Sequence, residues 1–259
     1  MPSNSIPGLS HRLYSVWYRH MRVYTRNLIS NGLPPFLEPL IFLAGIGLGL
    51  GKFIVSMEGI PYIEFLASGL LVTSSMYTAA FECSYGTFIR LEFERAYDGM
   101  LSAPITVHDL IVGEIIWAGT KGFFFSFAVL VIVSVFGVIP VGLSLFAPFV
   151  GFLTGVMFAV ISLLVTSFVK NINHFNFYMT GFLSPMFFFS GVVFPVSSLP
   201  AALRPLAEAM PLTHVVRLIR AFCHADFTPI LWLDLLYVVV VTLLVGHFAI
   251  RRLRRRLVI

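Results

Sequence analysis

Four charged side chains fall within or at the edges of long apolar runs, where an ionised group has no bulk water around it. They are Glu38, Glu82, Glu114 and Lys121. A lone charge inside a bilayer costs at least about 2.5–3.5 kcal/mol, so each of these groups is expected to have a partner. Carboxylates at this position can relay protons, or they can fix helix packing and line a polar cavity. We expect packing or cavity lining, because the four residues fall on three predicted spans and at different depths.

Glu114 and Lys121 are seven residues apart and therefore lie nearly in line on one face of a helix. This spacing is too long for a tight i,i+4 pair, but water or a neighbouring helix can link the two side chains. Cys83 and Cys223 lie in different segments, and no histidine pair or nucleophile–base pair has the spacing of a site. We therefore expect no catalytic residue, metal site or cofactor in this chain, and no enzyme activity.

The composition is that of a membrane protein. Hydrophobic residues make up 58% of the 259 residues and charged residues 11%, whereas soluble domains carry roughly 25% charged residues. The sequence predicts a single all-α integral membrane domain over 1–259 that crosses the bilayer six times. The spans are predicted at 33–54, 62–88, 110–138, 143–169, 175–194 and 230–250.

An amphipathic segment precedes the first span. Between 9 and 28, apolar residues cluster on one side of a helical wheel and Arg12, Arg19, Arg22 and Arg26 on another. This pattern predicts an interfacial helix that lies flat on an anionic leaflet, or a helix packed against a cytoplasmic partner. The segment lacks the apolar core and cleavage site of a signal peptide.

A second irregular segment precedes the last span. Residues 195–226 are too polar to cross a bilayer and too apolar for a free loop. Pro200 starts a helical pattern, Pro211 stops it, and a second pattern follows. We predict two short re-entrant helices within 199–222 that dip into the outer leaflet.

The distribution of Lys and Arg predicts the orientation. Six spans with the N-terminus inside leave only Lys52, Arg204, Arg217 and Arg220 on the outer side, while most other cations face the cytoplasm. This excess agrees with the positive-inside rule and puts both termini in the cytoplasm. We interpret the arginines between 251 and 256 as a stop-transfer signal in contact with anionic lipid, not as a nucleic-acid site.

The stretch 88–104, FIRLEFERAYDGMLSAP, gathers most of the charge in the middle of the chain. A helix over 92–103 would have an apolar face and a charged face. The apolar face would carry Phe93, Ala96, Tyr97, Met100 and Leu101, and the charged face Glu92, Glu94, Arg95 and Asp98. Such a helix can lie in the headgroup layer or be gripped by a soluble partner, and geometry alone favours the headgroup layer.

Alternate glycines mark the end of the first span. Gly45 with Gly49, and Gly47 with Gly51, form small-xxx-small pairs that permit close helix approach. The contact can lie within the chain or between two copies of it.

Three further runs of sequence are distinctive. They are the part of the first span from Glu38 to Gly51, the short F-E-C at 81–83, and G-E-I-I-W-A-G-T-K from Gly113 to Lys121. The first loop reads E-R-x-x-D-x-M-L-x-A-P-I-T from Glu94 to Thr106, and the outer segment reads F-x-S-G-V-V-F-P-V-S-S-L-P…P-L-T-H from Phe188 to His214. In this order the parts resemble the permease subunit of ABC-2 type exporters, and within that superfamily the NodJ-like lipooligosaccharide exporters.

The resemblance implies an assembly in the bacterial inner membrane. Two copies of this chain would form the membrane part, and each would engage a NodI-like ATP-binding subunit that holds ATP and Mg. The helix at 92–103 would be a coupling helix in a groove of that subunit. Tyr97, Met100 and Leu101 would be buried there or against the span ends, and charge pairing by Glu92, Glu94, Arg95 and Asp98 would set the register.

The resemblance also gives roles to two other sets of residues. The series from Gly45 to Gly51 would lie at the homodimer seam. The outer helices would cap the exit, where His214, Arg217 and Arg220 would meet an anionic or hydroxyl-rich headgroup. The alternative for these three side chains is snorkelling to lipid phosphate.

The implied function is ATP-driven export of a lipid-linked glycan, a lipooligosaccharide or a similar amphipathic substrate. A drug or polyketide efflux permease of the same architecture is the nearest alternative. A proton-coupled carrier should show an internal repeat and a coupling acid at membrane depth, and the two halves of this chain show no convincing repeat. A purely structural anchor would need neither intramembrane charges nor a patterned cytoplasmic helix.

Overall fold

The computed structural model describes residues 7–51 and 53–257, so Lys52 of the predicted outer side lies outside the described residues. The chain begins with α1 (Leu9–Arg26) and α2 (Leu28–Phe42), and a π-helical turn at Leu43–Leu48 extends α2. Strands β1 (Ser56–Met57) and β2 (Ile60–Pro61) form a small antiparallel hairpin. Next comes α3 (Tyr62–Phe81), which continues through π turns at Glu82–Gly86 and Ile89–Phe93.

The second part of the chain is also helical. It comprises α4 (Ala96–Leu101), α5 (Val107–Val135), α6 (Ala147–Phe168), α7 (Phe175–Tyr178), α8 (Ser184–Phe189), α9 (Arg204–Glu208), α10 (Pro211–His224) and α11 (Ile230–Leu257). A π turn at Met179–Leu183 joins α7 to α8. Of the two short helices predicted within 199–222, the first is reduced to the short α9, whereas the second is the longer α10; their re-entrant position stays a prediction.

Four segments of the described chain are long and apolar enough to cross a bilayer. They are Leu28–Gly47, Val107–Val135, Leu143–Phe168 and Ile230–Leu257. The predicted spans 62–88 and 175–194 also fall on helical segments, but π turns interrupt both. The all-α membrane architecture is therefore confirmed, and the count of six crossings stays a prediction.

Glycines bring α5 and α6 into backbone contact. A Cβ atom at Gly122 would lie 2.6 Å from the Gly151 carbonyl oxygen, and one at Gly155 would lie 2.9 Å from the Ala118 carbonyl oxygen. Real Cβ atoms do not approach so closely, so these positions require glycine at this helix spacing. Gly151 and Gly155 form a small-xxx-small pair of the kind that lets membrane helices touch.

The glycines after α2 behave differently. A Cβ atom at Gly45 or Gly49 would meet nothing within 4 Å, and one at Gly47 would make ordinary contact with Ile63 at 3.4 Å. At Gly51 a Cβ atom would collide with the Gly47 carbonyl oxygen, so the turn itself requires glycine there. Among the described residues, Gly45 and Gly49 thus do not serve close packing within the chain, and their contact with a second copy stays a prediction.

Ion pairs gather four segments at one end of the helix bundle. Arg12 of α1 lies 3.2 Å from Asp109 at the start of α5. Arg256 near the end of α11 donates to the Val169 carbonyl oxygen after α6 and to Glu92 before α4. The N-terminal helix, the first loop, the turn after α6 and the end of α11 therefore share this end, which we call the basic end.

Candidate functional site

A chain of partly buried ion pairs joins α5 to the helical segment that follows α3. Lys121 Nζ lies 2.8 Å from Glu82 Oε2, and Arg90 Nη1 lies 2.7 Å from Glu82 Oε1. Arg90 Nη2 lies 3.0 Å from Glu114 Oε1, and the Glu114 side chain is only 1% exposed. A buried charge such as that of Glu114 is tolerated only when it is closely paired. We call Glu82, Arg90, Glu114 and Lys121 the charge network.

The charge network bears on two expectations from the sequence. Glu82, Glu114 and Lys121, which the sequence leaves scattered, are brought into one set of ion pairs, whereas their depth in a membrane stays a prediction. The predicted link between Glu114 and Lys121 through a neighbouring helix is confirmed, because Glu82 and Arg90 form it. From the sequence, Arg90 was predicted only as one of the cations that face the cytoplasm. Its spacing of eight residues from Glu82, about two helical turns, was the available signal.

Helix α1 packs along the first half of α5. Val16 is buried, and a Cβ atom at Gly113 would lie 2.5 Å from a Val16 methyl carbon. The Trp17 indole N–H donates to Thr120 Oγ1 at 3.1 Å, and Lys121 Nζ lies 4.6 Å from the centre of the Tyr24 ring. The amphipathic segment therefore has a protein partner within its own chain, a possibility that sequence analysis did not consider.

His20 sits where α1 meets the charge network. Its side chain is 3% exposed, its ring stacks on Trp117 with centroids 6.4 Å apart, and its Nε2 lies 3.7 Å from Glu114 Oε1. Burial, and then the charge of Arg90, lower the pKa of His20 from 6.5 to about 3. His20 is therefore neutral at neutral pH, so the approach to Glu114 is not an ion pair.

We expect acid to loosen the docking of α1. An undocked, solvated His20 binds a proton below pH 6.5, whereas the docked side chain stays neutral down to about pH 3. Docking is thus at full strength above pH 6.5 and weakens as the pH falls, by about 2 kcal/mol near pH 5. Fluorescence of Trp17 and Trp117 in a Trp232→Phe background should report this loss between about pH 7.5 and pH 5.

The matched control for this effect is His20→Phe, which keeps an aromatic ring on Trp117 and cannot take up a proton. This variant should show no acid-dependent change of fluorescence. An identical change in the variant and in the parent protein would mean that another group loosens α1.

The first loop reaches the charge network through Tyr97. Tyr97 of α4 is 1% exposed, its hydroxyl donates to Glu114 Oε1, and Arg90 Nε donates to the Tyr97 hydroxyl at 3.4 Å. Met100 and Leu101 are half-buried and pack on the same core. Of the two burial sites predicted for Tyr97, the structure shows the one against the span ends.

The predicted helix over 92–103 is shorter in the structure, and its apolar face is divided. Arg95 has φ 47° and separates the π turn at Ile89–Phe93 from α4. As a consequence, Phe93 is 66% exposed although it was predicted on the same face as the buried Tyr97. Its exposed neighbours are Glu92, Glu94, Arg95 and Asp98. An exposed aromatic ring with charges around it is a surface suited to a protein partner.

A cavity of about 770 Å³ opens beside the charge network, between α1, α2, α3, α5 and α8. Glu38 of α2 lines it, together with Glu82, Arg90 and Lys121 of the charge network. Aromatic side chains form much of the remaining wall: Tyr24, Phe42, Tyr77, Phe81, Trp117, Phe187 and Phe188. A cavity with aromatic walls and a few converging polar groups is the usual form of a binding site for an organic ligand.

A second polar cluster joins α10 to α11. His214 Nδ1 lies 2.6 Å from Asp234 Oδ1, and Arg217 Nη2 lies 2.9 Å from the same oxygen. Arg217 also binds Glu208 at 2.7 Å, and the Arg220 guanidinium lies 3.6 Å from the centre of the Phe65 ring and donates to the Gly191 carbonyl oxygen at 2.7 Å. The three side chains predicted at the exit thus bind groups of their own chain. Sequence analysis missed Asp234, which falls inside an apolar run.

Comparison with known proteins agrees with this architecture. Residues 11–222 match the sequence model of the ABC-2 type transporter family. The chain is similar to nodulation protein J of Sinorhizobium fredii, at 37% identity over 215 residues that cover 83% of this chain and 82% of that protein. Nodulation protein J of Rhizobium leguminosarum bv. viciae is 34% identical over 216 residues, 83% of each chain. The inner membrane transport permease YadH of Escherichia coli is 25% identical over 204 residues, 79% of each chain.

Proposed function

This chain belongs to the ABC-2 type transporter family, and from that premise we propose that it is the membrane subunit of an ATP-driven exporter. The substrate is a lipid-linked glycan, a lipooligosaccharide or a similar amphipathic molecule, which leaves the cytoplasm or the inner leaflet. Two copies of the chain lie in the bacterial inner membrane with both termini in the cytoplasm. Two NodI-like subunits bind them on the cytoplasmic side and hold the ATP and Mg.

The observation that carries this proposal is the contact between the first loop and the cavity. Tyr97 of α4 donates to Glu114, and Arg90 contacts both residues while it also binds Glu82. Glu82 and Arg90 line the cavity. A displacement of α4 by a partner therefore acts on groups of the cavity wall through these direct contacts.

The charges around the cavity favour a substrate with an uncharged polar head. Its lining contains the cations Arg19, Arg90 and Lys121 and the carboxylates Glu38, Glu82 and Glu94. These charges balance, and His20 is neutral at neutral pH, so the lining does not select strongly for one sign. Tyr, Trp and hydroxyl side chains offer ring faces and hydrogen bonds to a sugar, and an acyl chain can stay among lipids outside.

The transport cycle follows from these contacts. Closure of the ATP-binding subunits on ATP displaces α4, and α4 pulls on Glu114 through Tyr97. The charge network then re-pairs, because buried charges must keep partners in each state. Two packed arrangements of the helices give access to the cavity from one side of the membrane at a time.

Substrate-stimulated ATP hydrolysis tests this function. With the NodI-like subunit in nanodiscs, a lipooligosaccharide should raise the rate of ATP hydrolysis, while its acyl chain alone should not. Tyr97→Phe removes the O–H donor to Glu114 and keeps the ring, so stimulation should fall by about tenfold with binding of the ATP-binding subunit unchanged.

Tyr14→Phe is the control, because Tyr14 is 55% exposed on α1 and its loss should leave stimulation intact. Stimulation by hydrophobic drugs and not by the glycolipid would support the efflux alternative instead. Normal stimulation in Tyr97→Phe would show that α4 and the cavity communicate by another route.

A further inference from the structure

Arg256, near the end of α11, is directed towards the helix bundle. The Arg256 side chain is 20% exposed, whereas Arg254 and Arg255 are exposed. Arg256 Nη1 donates to the carbonyl oxygens of Thr166 at 2.6 Å and Val169 at 2.7 Å. Its Nη2 donates to Glu92 Oε1 at 2.7 Å. A run of arginines that only stopped transfer or bound lipid would not need these contacts.

The first two contacts cap α6. Helix α6 ends at Phe168, and its last carbonyl groups have no partner within the helix. A cation at this end also interacts favourably with the helix dipole. Arginine presents its donors in a rigid planar fork that reaches two carbonyl groups on one nitrogen and a carboxylate on another, whereas the three donors of a lysine sit on a single nitrogen without this fixed geometry.

The third contact fixes the start of the first loop. Glu92 belongs to the π turn at Ile89–Phe93, and Arg95 follows with φ 47°, where the chain changes direction before α4. Phe88, Val169 and Phe175 form a small apolar cluster next to this contact, and the Arg256 guanidinium is 5.7 Å from the centre of the Phe88 ring. Arg256 therefore contacts the segment from which α4 leaves the bundle.

We propose that Arg256 is a positioning residue for the coupling of ATP hydrolysis to transport: it ties the end of the last helix and the end of α6 to the segment that precedes α4. Through it, a displacement of α4 is passed to α6 and α11 as well as to the charge network. This role rests on the proposed function, since it assumes that the ATP-binding subunit moves α4. For the other arginines between 251 and 255, the interpretation as stop-transfer charges is kept.

The test compares Arg256→Lys with Arg255→Lys in the full chain. Both variants keep the positive charge that sets topology, so insertion and yield should be unchanged. In Arg256→Lys, backbone amides between 89 and 101 should exchange with deuterium about tenfold faster, and the number of substrate molecules exported per ATP should fall by about tenfold. Arg255→Lys should match the parent protein in both measurements.

Glu92→Gln separates the loop contact from the cap on α6. It removes the carboxylate and leaves both carbonyl contacts of Arg256 in place, so it should reproduce the faster exchange and the lower export per ATP. The double variant that combines Arg256→Lys with Glu92→Gln should show no faster exchange and no lower export per ATP than either single variant. Unchanged exchange in Arg256→Lys, or an effect of Arg256→Lys that Glu92→Gln does not share, would overturn the proposal. Because exchange needs neither substrate nor ATP, this result is independent of the proposed function.

Discussion

Replacing Arg90 with methionine is expected to lower the free energy of unfolding by roughly 3–5 kcal/mol. Arg90 binds Glu82 and Glu114 at 2.7 and 3.0 Å. Without it, Glu82 keeps Lys121, but Glu114 is left buried with the neutral partners Tyr97 and Thr87. An uncompensated buried charge is among the costliest changes that one substitution can make. Unfolding in mixed detergent micelles, followed by circular dichroism, gives the measurement.

Two variants make this result specific. Arg22→Met removes an exposed arginine of α1 and should change the free energy of unfolding by less than about 0.5 kcal/mol. Arg90→Met combined with Glu114→Gln should be more stable than Arg90→Met alone, because the second change removes the stranded charge. Equal stability of Arg90→Met and Arg22→Met would refute the view that the charge network holds these helices together.

Replacing Phe93 with alanine is expected to weaken binding of the ATP-binding subunit by at least about 30-fold. Phe93 is 66% exposed and stands among charged side chains at the basic end, just before α4. Exposed aromatic rings with a polar rim are the usual hot spots of protein interfaces. Titration of the purified ATP-binding subunit against the chain in nanodiscs gives the dissociation constant.

Phe136→Ala is the matched control, because Phe136 is 78% exposed in the connection between α5 and α6, away from the basic end. It should leave the dissociation constant unchanged. Equal dissociation constants for the Phe93→Ala variant and the parent protein would show that the ATP-binding subunit does not dock on the first loop. Tyr97, buried against Glu114, is a poor choice for this experiment, since its loss disturbs the chain itself.

The family and the helical membrane architecture could be predicted from sequence because both follow from apolar runs and local motifs. The contacts between segments could not. Arg90 falls near a span end, and only the folded backbone shows that it turns back towards Glu82 and Glu114. The match over residues 11–222 confirms the predicted family, and three of the four charges in apolar runs, Glu82, Glu114 and Lys121, share one network.

Two further differences have local causes. The positive φ of Arg95 divides the face predicted for 92–103, and helical periodicity gives no sign of such a break. The spacing of Gly151 and Gly155 in the sequence signals the glycine contact between α5 and α6. Only the denser series at Gly45–Gly51, however, was interpreted as a site of close helix approach. Glycine spacing shows that close approach is possible and leaves the partner open.

The most direct test of this account is transport in liposomes that contain the purified chain with or without its ATP-binding subunit. A fluorescent lipooligosaccharide in one leaflet reports movement across the bilayer. We predict movement only when the ATP-binding subunit, ATP and Mg are all present, and none when the chain alone is given a proton or sodium gradient. Translocation by the chain alone on an ion gradient would contradict the central claim that a partner's ATP drives this membrane subunit.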